Sequence, residues 1–190
     1  GGYIWDFIDQ GLRSKSKVTG KEIYAYGGDF GRFPASDNNF NCNGVINPDR
    51  RPNPHAWEIE YYYQNIWSTL KNAKNGSVEI YNENFFAPLD YVFMDYEILV
   101  DGKSINKGTL PIAQLNIKPQ AKTNVGVEAI AAAVADTDNK GKEILVNVNF
   151  RLCYDTPLQK AGDVVAHNQF EVTSYAFPTV EAVTAQPEAE

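Results

Sequence analysis

Apolar and polar residues alternate in short runs through most of the chain after residue 65. A period of two places successive side chains on opposite faces of the backbone, as in a strand with one buried face. The pattern predicts strands over 66–71, 77–81, 92–100, 103–108, 110–116, 122–128, 143–152 and 164–173. Short strands in this number and at this spacing predict a two-sheet antiparallel sandwich with immunoglobulin-like architecture.

Turn signals separate these runs. Asn75-Gly76 and Asp101-Gly102 are dipeptides typical of tight β-hairpins, so each predicts that the flanking strands pair. The alanine-rich run Ala129–Ala135 predicts a short helical or loop crossing. The tail Thr179–Glu190 combines Pro, Ala, Thr and Glu with few large apolar residues, a composition typical of a linker.

The first part of the chain is different, because Gly, Asn, Pro and aromatic residues interrupt any regular period. Tyr3–Ile8 has the aromatic and β-branched content of a buried strand. Pro54–Gln64 predicts a helix in which Asn53 is the N-cap and Pro54 occupies the first helical position. We expect Trp57 and Tyr61 on the buried side of that helix.

Composition and charge exclude some classes of partner. The chain has 190 residues, 43% of them hydrophobic, and a formal net charge of -7 with a pI near 4.9. Binding to nucleic acid depends on clustered Lys and Arg, which this chain lacks, and no apolar run approaches the length of a membrane span. We therefore expect a globular protein that binds neither nucleic acid nor membrane.

Cysteine and histidine offer no transition-metal site. Cys42 and Cys153 are far apart and outside any CxxC pattern, and His55 and His167 are isolated. We expect both thiols to be free.

Acidic residues are frequent in the first part of the chain. Cleavage of a glycosidic bond uses two carboxyl groups that flank it, and the candidates here are Asp6, Asp9, Asp29, Asp37 and Asp49. Turns and helix caps use the same residues, so this pattern favours no particular pair. Neither histidine lies near a nucleophile turn of the GxSxG type, which leaves Ser-His-Asp chemistry unsupported.

Aromatic and amide residues are more informative than the charges. Sugars place their C–H faces on aromatic rings, and Trp5, followed by Asp6, has that character, although a packed core tryptophan is the favoured interpretation on this argument alone. The segment from Phe40 to Asn43 follows a polar loop whose oxygen atoms could bind a hard cation. The competing interpretation, an Asn-rich turn, is favoured by its composition.

Four blocks in the first part of the chain form a specific combination: GGYIWDFIDQ at 1–10, YGGDFG at 26–31, FNCNGV at 40–45 and DRRP at 49–52. In this order they resemble the last strand, the following loops and the last helix of the catalytic (β/α)₈ barrel of glycoside hydrolase family 2 β-galactosidases. Later blocks resemble the immunoglobulin-like domain that follows that barrel: Asn82–Phe86, Tyr96–Gly102 and Ala161–Phe170.

The resemblance implies a mainly β fold with three parts. Residues 1–65 are expected to be the C-terminal remnant of the barrel, with its last strand and helix. Residues 66–178 are expected to form the antiparallel immunoglobulin-like sandwich, and residues 179–190 a linker or tail. It also implies that Trp5 is the aromatic platform for the galactose ring. Phe40 and Asn43 would bind a sodium ion through a backbone carbonyl and a side-chain oxygen.

The implied activity is hydrolysis of terminal β-D-galactosides with retention, through a glutamate nucleophile and a glutamate acid/base. In the family both glutamates precede the segment that Gly1 begins, and the chain opens without an initiator Met. We therefore expect it to be part of a longer polypeptide, to be inactive alone and to contain no catalytic residue. Sodium, magnesium and homo-oligomers are expected for the complete enzyme, and no cofactor for this chain alone.

Two alternatives stay open. A non-catalytic carbohydrate-binding or interaction sandwich would be a self-contained domain from residue 1, which the abrupt opening of the chain disfavours. A family 2 enzyme acting on glucuronides or mannosides is disfavoured because the later blocks resemble the galactosidase type.

Overall fold

The computed structural model describes residues 2–31 and 42–179, and for Ile112 the backbone alone. The chain divides into two compact units, Gly1–Tyr63 and Gln64–Glu190. The predicted domain boundary at residue 65 lies two residues beyond this division. Apart from Thr179, the predicted linker lies outside the described residues. No helix in the described part of the chain is long and apolar enough to cross a lipid bilayer.

The first unit contains short elements and long connections. A two-stranded antiparallel hairpin, which the alternation of residues did not predict, is formed by β1 (Leu12–Lys15) and β2 (Glu22–Ala25). The predicted helix is present as α1 (His55–Tyr62), and Pro54 occupies the N-cap position. Gly27–Phe30 forms one 3₁₀ turn.

Three expectations for the first unit are wrong. Tyr3–Ile8 is not a strand, because within the described residues it pairs through one parallel bridge, between Ile8 and Ile46. The side chain of Asn53 does not cap α1, since its amide is engaged elsewhere. No residue of α1 is buried, and Trp57 is 63% exposed.

The second unit is an antiparallel sandwich of two sheets. One sheet has the strand order β3-β4-β7 and the other the order β6-β5-β8-β9. The strands are β3 (Ile66–Asn72), β4 (Ser77–Asn82), β5 (Val92–Val100), β6 (Lys103–Leu110), β7 (Lys122–Gly126), β8 (Ile144–Leu152) and β9 (Val164–Thr173). A helix, α2 (Glu128–Ala135), follows β7 at the predicted alanine-rich crossing. The predicted mainly β, sandwich-containing fold class is confirmed.

Period-two burial explains why these segments are strands. In β8 every second residue is buried, from Ile144 to Leu152, and β4 follows the same alternation. The inward side chains of both sheets form one continuous apolar core, in which Phe150 is fully buried. At the edge where β3 and β9 approach, Asn168 Oδ1 accepts hydrogen bonds from Ser68 N at 3.0 Å and Ser68 Oγ at 2.8 Å. This buried amide joins the two sheets.

Both predicted hairpins are present, between β3 and β4 and between β5 and β6. Gly76 has φ +66° and lies close to the connection between β7 and α2. A Cβ atom at Gly76 would meet the Val127 carbonyl oxygen at 2.1 Å. A larger residue there is therefore excluded by both conformation and space. The strand predicted over 110–116 is wrong: β6 ends at Leu110, and Ile112–Gln114 forms a 3₁₀ turn.

A buried asparagine closes one end of the sandwich. Asn82 is fully buried, and its Nδ2 donates to the carbonyl oxygens of Ala87 and Ile117, each at 2.9 Å. Its Oδ1 accepts from Asn84 N at 3.0 Å and from Asn84 Nδ2 at 2.9 Å. One side chain thus satisfies the backbone of two loops that leave the sheets.

Replacing Asn82 by Ala should lower the free energy of unfolding of the sandwich by about 2 to 4 kcal/mol, because buried carbonyl oxygens would lose their donors. Urea unfolding followed by circular dichroism measures the change. Asn106→Ala, at an exposed position of β6, is the matched control and should change the stability by about 0.5 kcal/mol or less. Equal losses in both variants would contradict a special role for Asn82.

Candidate functional site

Trp5 and Asn43 begin two backbone segments that hydrogen-bond to each other within the first unit. Val45 N donates to the Asp6 carbonyl at 3.3 Å, Ile46 N to the Phe7 carbonyl at 2.9 Å, and Asp9 N to the Ile46 carbonyl at 2.9 Å. These bonds align the segment that follows Trp5 with the segment that follows Asn43. The structure therefore brings two of the three predicted site residues onto adjacent segments.

Trp5 is largely open to solvent. Its side chain is 75% exposed, in a turn that leads directly into Asp6, and the peptide bond between the two residues is cis. Trp5 is therefore not packed in a core of the residues that the structure describes. An exposed indole ring on a held segment offers a flat apolar surface of the kind that the C–H face of a sugar can cover.

Asn43 is exposed at the start of the second segment, and the residue after it is buried. The amide oxygen of an asparagine side chain is a hard donor, the type that suits sodium, calcium or magnesium rather than zinc. Phe40, the other predicted sodium ligand, lies outside the described residues. The roles predicted for Trp5, Phe40 and Asn43 stay predictions.

The junction between the segments is closed by the side chain of Asp9. This residue is 3% exposed, and its Oδ1 accepts a hydrogen bond from Gly44 N at 2.8 Å. Its Oδ2 is buried and accepts no hydrogen bond from the residues that the structure describes. The carboxylate therefore fixes the backbone next to Asn43 with one of its two oxygens.

Asn53 fixes the other side of Gly44. Its Nδ2 donates to the Gly44 carbonyl at 2.8 Å, and its Oδ1 accepts from Asn47 Nδ2 at 3.0 Å. Because the side chain makes these bonds, it does not serve the helix cap that the sequence predicted. Sequence reasoning also missed the role of Asp9, since nothing in the spacing of residues 9 and 44 shows that they meet.

The thiol of Cys42 lies beside this buried carboxylate. Partial burial raises the pKa of Cys42, and the negative charge of Asp9 raises it further. Both causes favour the protonated thiol, which is the less nucleophilic form. Cys42 and Cys153 are both free, as predicted.

The remaining acidic candidates serve local turns. Asp29 Oδ2 accepts from Tyr26 N at 2.9 Å, and Asp49 pairs with Arg51 through Oδ2 and Nε at 3.2 Å. Asp6 Oδ1 accepts from Gln10 Nε2 at 3.5 Å. Asp37 lies outside the described residues. Each of these contacts joins residues two to four positions apart, so it serves local structure.

Electrostatics and metal-ligand geometry favour no complete catalytic centre here. Among the described residues, no group of three or more His, Cys, Asp or Glu side chains could hold a metal ion. Asn43 nevertheless carries an amide oxygen next to a backbone position, Gly44, that the carboxylate of Asp9 holds at 2.8 Å. An amide oxygen is a donor for a hard cation and does not suit a zinc-type site.

An apolar groove of 340 Å³ lies beside the junction in the same unit. Its lining includes Phe7, Ile46, Pro52, Trp57 and Tyr63. The first unit leaves many other large apolar side chains exposed: Tyr3, Ile4, Ile8, Leu12, Val18, Phe30 and Tyr62. Exposed apolar surface on this scale indicates a surface that packs against other protein rather than one that faces solvent.

Comparison with known proteins identifies the two parts. The model of the family 2 glycosyl hydrolase TIM barrel domain matches residues 1–68, and that of domain 4 of β-galactosidase matches residues 78–173, half of the chain. The chain belongs to the glycoside hydrolase family 2 β-galactosidases. The family predicted from the sequence motifs is thereby confirmed.

Curated β-galactosidases of bacteria resemble this family member along most of its length. β-Galactosidase 2 of Enterobacter cloacae is 32% identical over 187 residues, which is 98% of this chain and 17% of the relative. The β-galactosidase of Leuconostoc mesenteroides is 31% identical over 173 residues, 90% of this chain and 16% of the relative. That of Clostridium acetobutylicum is 35% identical over 169 residues, 89% of this chain and 17% of the relative. The chain spans about a sixth of the length of these relatives.

Replacing Gly44 by Ala should open the junction, because the new Cβ would meet the Asp6 carbonyl oxygen and Asp9 Oδ1, each at 2.7 Å. The two segments would have to move apart to make room for the Cβ, which weakens the backbone hydrogen bonds donated by Val45 and Ile46. We therefore expect these two amides to exchange with deuterium about 10-fold faster or more. Hydrogen exchange followed by mass spectrometry measures this. Gly126→Ala is the control, since nothing lies within 4 Å of its added Cβ. Unchanged exchange in Gly44→Ala would contradict the close approach.

Proposed function

We propose that this chain is the end of the catalytic barrel and the following sandwich of a β-galactosidase that hydrolyses terminal β-D-galactosides with retention. In this proposal the chain supplies the sugar platform Trp5 and a cation ligand, Asn43, while both catalytic glutamates belong to barrel strands outside it. The observation that carries the proposal is the exposed ring of Trp5 on a segment hydrogen-bonded to the segment of Asn43.

The placement of these residues supports a binding role rather than a chemical one. A galactose ring covering Trp5 would lose its freedom to rotate against the protein, and holding a substrate in the reactive orientation lowers the barrier without any proton transfer. The bond-breaking step requires a nucleophilic carboxylate and a carboxylic acid about 5 to 5.5 Å apart. Asp6, Asp29 and Asp49 make local contacts and Asp9 is buried, which supports the proposal that the catalytic pair lies elsewhere in the barrel.

A sodium ion would fit Asn43, because a side-chain amide oxygen is a hard donor and the backbone beside it is held on both sides of Gly44. When bound, such a cation supplies positive charge that orients sugar hydroxyl oxygens. For magnesium the described residues offer no comparable set of donors, so we propose that its ligands also lie outside this chain.

The exposed apolar side chains of the first unit support the same proposal. A parallel barrel strand is normally covered by neighbouring strands and helices, and Phe7, Trp57 and Tyr63 form a groove suited to such covering. The relatives are about six times longer than this chain, since its matches cover 16 to 17% of their length. In the proposal, the additional length of the complete protein supplies the rest of the barrel.

We expect the complete gene product to hydrolyse an aryl β-galactoside, and the 190-residue chain alone to show no turnover. Trp5→Ala in the complete protein should lower kcat/KM about 100-fold, the cost of losing a positioning group. Trp5→Phe should lose less, because a smaller aromatic face remains. Phe177→Ala, at an exposed aromatic position of the second unit, is the control and should leave kcat/KM unchanged.

The substrate panel separates the alternatives. Preference for an aryl β-glucuronide or β-mannoside over the galactoside would replace the proposed substrate class. Binding of galactosides by the complete protein without any hydrolysis would support a carbohydrate-binding module instead. Turnover by the 190-residue chain alone, abolished by replacing Asp6 or Asp29, would show that the catalytic carboxylates lie within it.

A further inference from the structure

Asp9 is a buried side chain that holds the backbone next to Asn43, the predicted cation ligand, although the two residues lie on different segments of the chain. It is separated from Gly44 by 35 residues in sequence, and its Oδ1 accepts from Gly44 N at 2.8 Å. A bond between a carboxylate and a backbone N–H is charge-assisted, and burial strengthens it further. This contact is therefore a firm point of attachment for the loop.

Peptide geometry transmits this attachment to Asn43. The peptide between Asn43 and Gly44 is a rigid plane that contains the Gly44 N–H, the Asn43 carbonyl and the Asn43 Cα. Once Asp9 fixes the direction of the N–H, the carbonyl of Asn43 points the opposite way and its Cα has a set position. The side chain of Asn43 leaves from that Cα, so its point of attachment is held, and the rotations about χ1 and χ2 alone place its amide oxygen.

The tight fit at Gly44 makes the arrangement specific. A Cβ at this position would meet Asp9 Oδ1 and the Asp6 carbonyl oxygen, each at 2.7 Å. The next peptide plane is fixed too, because the Gly44 carbonyl accepts from Asn53 Nδ2 at 2.8 Å. Side chains therefore hold both peptide planes that flank Gly44.

We propose that Asp9 is a positioning residue for the sodium and sugar site: its carboxylate fixes the Asn43–Gly44 peptide and thereby sets the cation affinity of Asn43. Asp9 acts through Gly44 and contacts neither the cation nor the sugar. The inference rests on the proposed role of Asn43 as a sodium ligand. It assigns a function to a buried acidic residue that a glycosidase could otherwise be thought to use in catalysis.

The two oxygens of Asp9 allow a sharp test. Asn keeps an oxygen that can accept from Gly44 N, and the position of Oδ2 makes no hydrogen bond with the described residues. Ala removes the acceptor. A positioning role therefore predicts rescue by Asp9→Asn, whereas a catalytic acid or a charged cation ligand at Asp9 predicts that Asn fails as Ala does.

The experiment measures sodium binding in the complete gene product through the rise of Tm with sodium at constant ionic strength, choline being the replacement ion. Asp9→Ala should raise the sodium Kd about 10-fold or more, the usual loss when the support of a metal ligand is removed. Asp9→Asn should stay within about 3-fold of the wild type. The sodium dependence of kcat/KM for an aryl β-galactoside should shift in parallel, with smaller losses at saturating sodium.

Asp155→Ala is the matched control. Asp155 Oδ1 accepts from Ala161 N at 2.9 Å, the same kind of carboxylate-to-backbone bond, in the sandwich. Its loss should leave the sodium Kd unchanged. A further measurement needs no variant: in the wild-type complete gene product the Gly44 amide should be protected from hydrogen exchange, and rapid exchange there would overturn the inference even if Asp9→Ala does not fold.

The outcomes separate this inference from the proposed function. A sodium response in the wild type that Asp9→Ala leaves unchanged would overturn the positioning role alone. Equal losses in Asp9→Asn and Asp9→Ala would also overturn it, in favour of a direct role for the charge. A wild type that hydrolyses galactosides without any sodium response would overturn both the cation role of Asn43 and this inference.

Discussion

The first unit depends on a close approach of two backbone segments at Gly44. The space left by the missing side chain is filled by the Asp6 carbonyl and the Asp9 carboxylate, each of which would lie 2.7 Å from an added Cβ. Backbone bonds from Val45 and Ile46 then continue the contact on one side, and Asn53 completes it on the other. A glycine and a buried carboxylate thus replace the regular ladder that a sheet would provide.

The two units are stabilised in different ways. The sandwich encloses a continuous apolar core that includes Phe150, Met94 and Ile80, and its loops are joined by buried amides such as Asn82. The first unit buries the apolar residues Ala25 and Val45 and exposes aromatic residues along its length. Hydrophobic burial is the main favourable term in folding. The sandwich therefore has its own source of stability, whereas local hydrogen bonds carry a larger share in the first unit.

This difference explains which elements the sequence could predict. In the sandwich, burial on one face imposes a period of two, and β5, β8 and both hairpins follow directly from that period. In the first unit most side chains are exposed, so burial imposes no alternation of apolar and polar residues. Tyr3–Ile8 is rich in strand-forming residues, yet its described bridge to Ile46 depends on a partner that is remote in sequence. The hairpin β1–β2 was missed for the same reason, since its exposed positions carry Arg, Lys and Glu.

In the candidate site, too, the sequence could predict some residues and not others. Motifs predicted Trp5 and Asn43 as site residues, because platforms and cation ligands need particular side chains at particular places. They did not predict the contacts of Asp9 and Asn53 with the backbone of Gly44. Such a contact requires only one acceptor or donor at the right distance, so it leaves no motif. Many sequences could provide that contact, and the fold decides which residue does.

Asp9 also illustrates why a buried acidic residue in a glycosidase family is not by itself a catalyst. A glycosidase acid or nucleophile must reach the glycosidic bond, and its carboxyl oxygens must be available to the reacting atoms. Asp9 is 3% exposed and bonded through Oδ1 to a backbone amide of its own unit. Its burial and its bond both suit a residue that holds other groups still, whereas Trp5 and Asn43 are exposed.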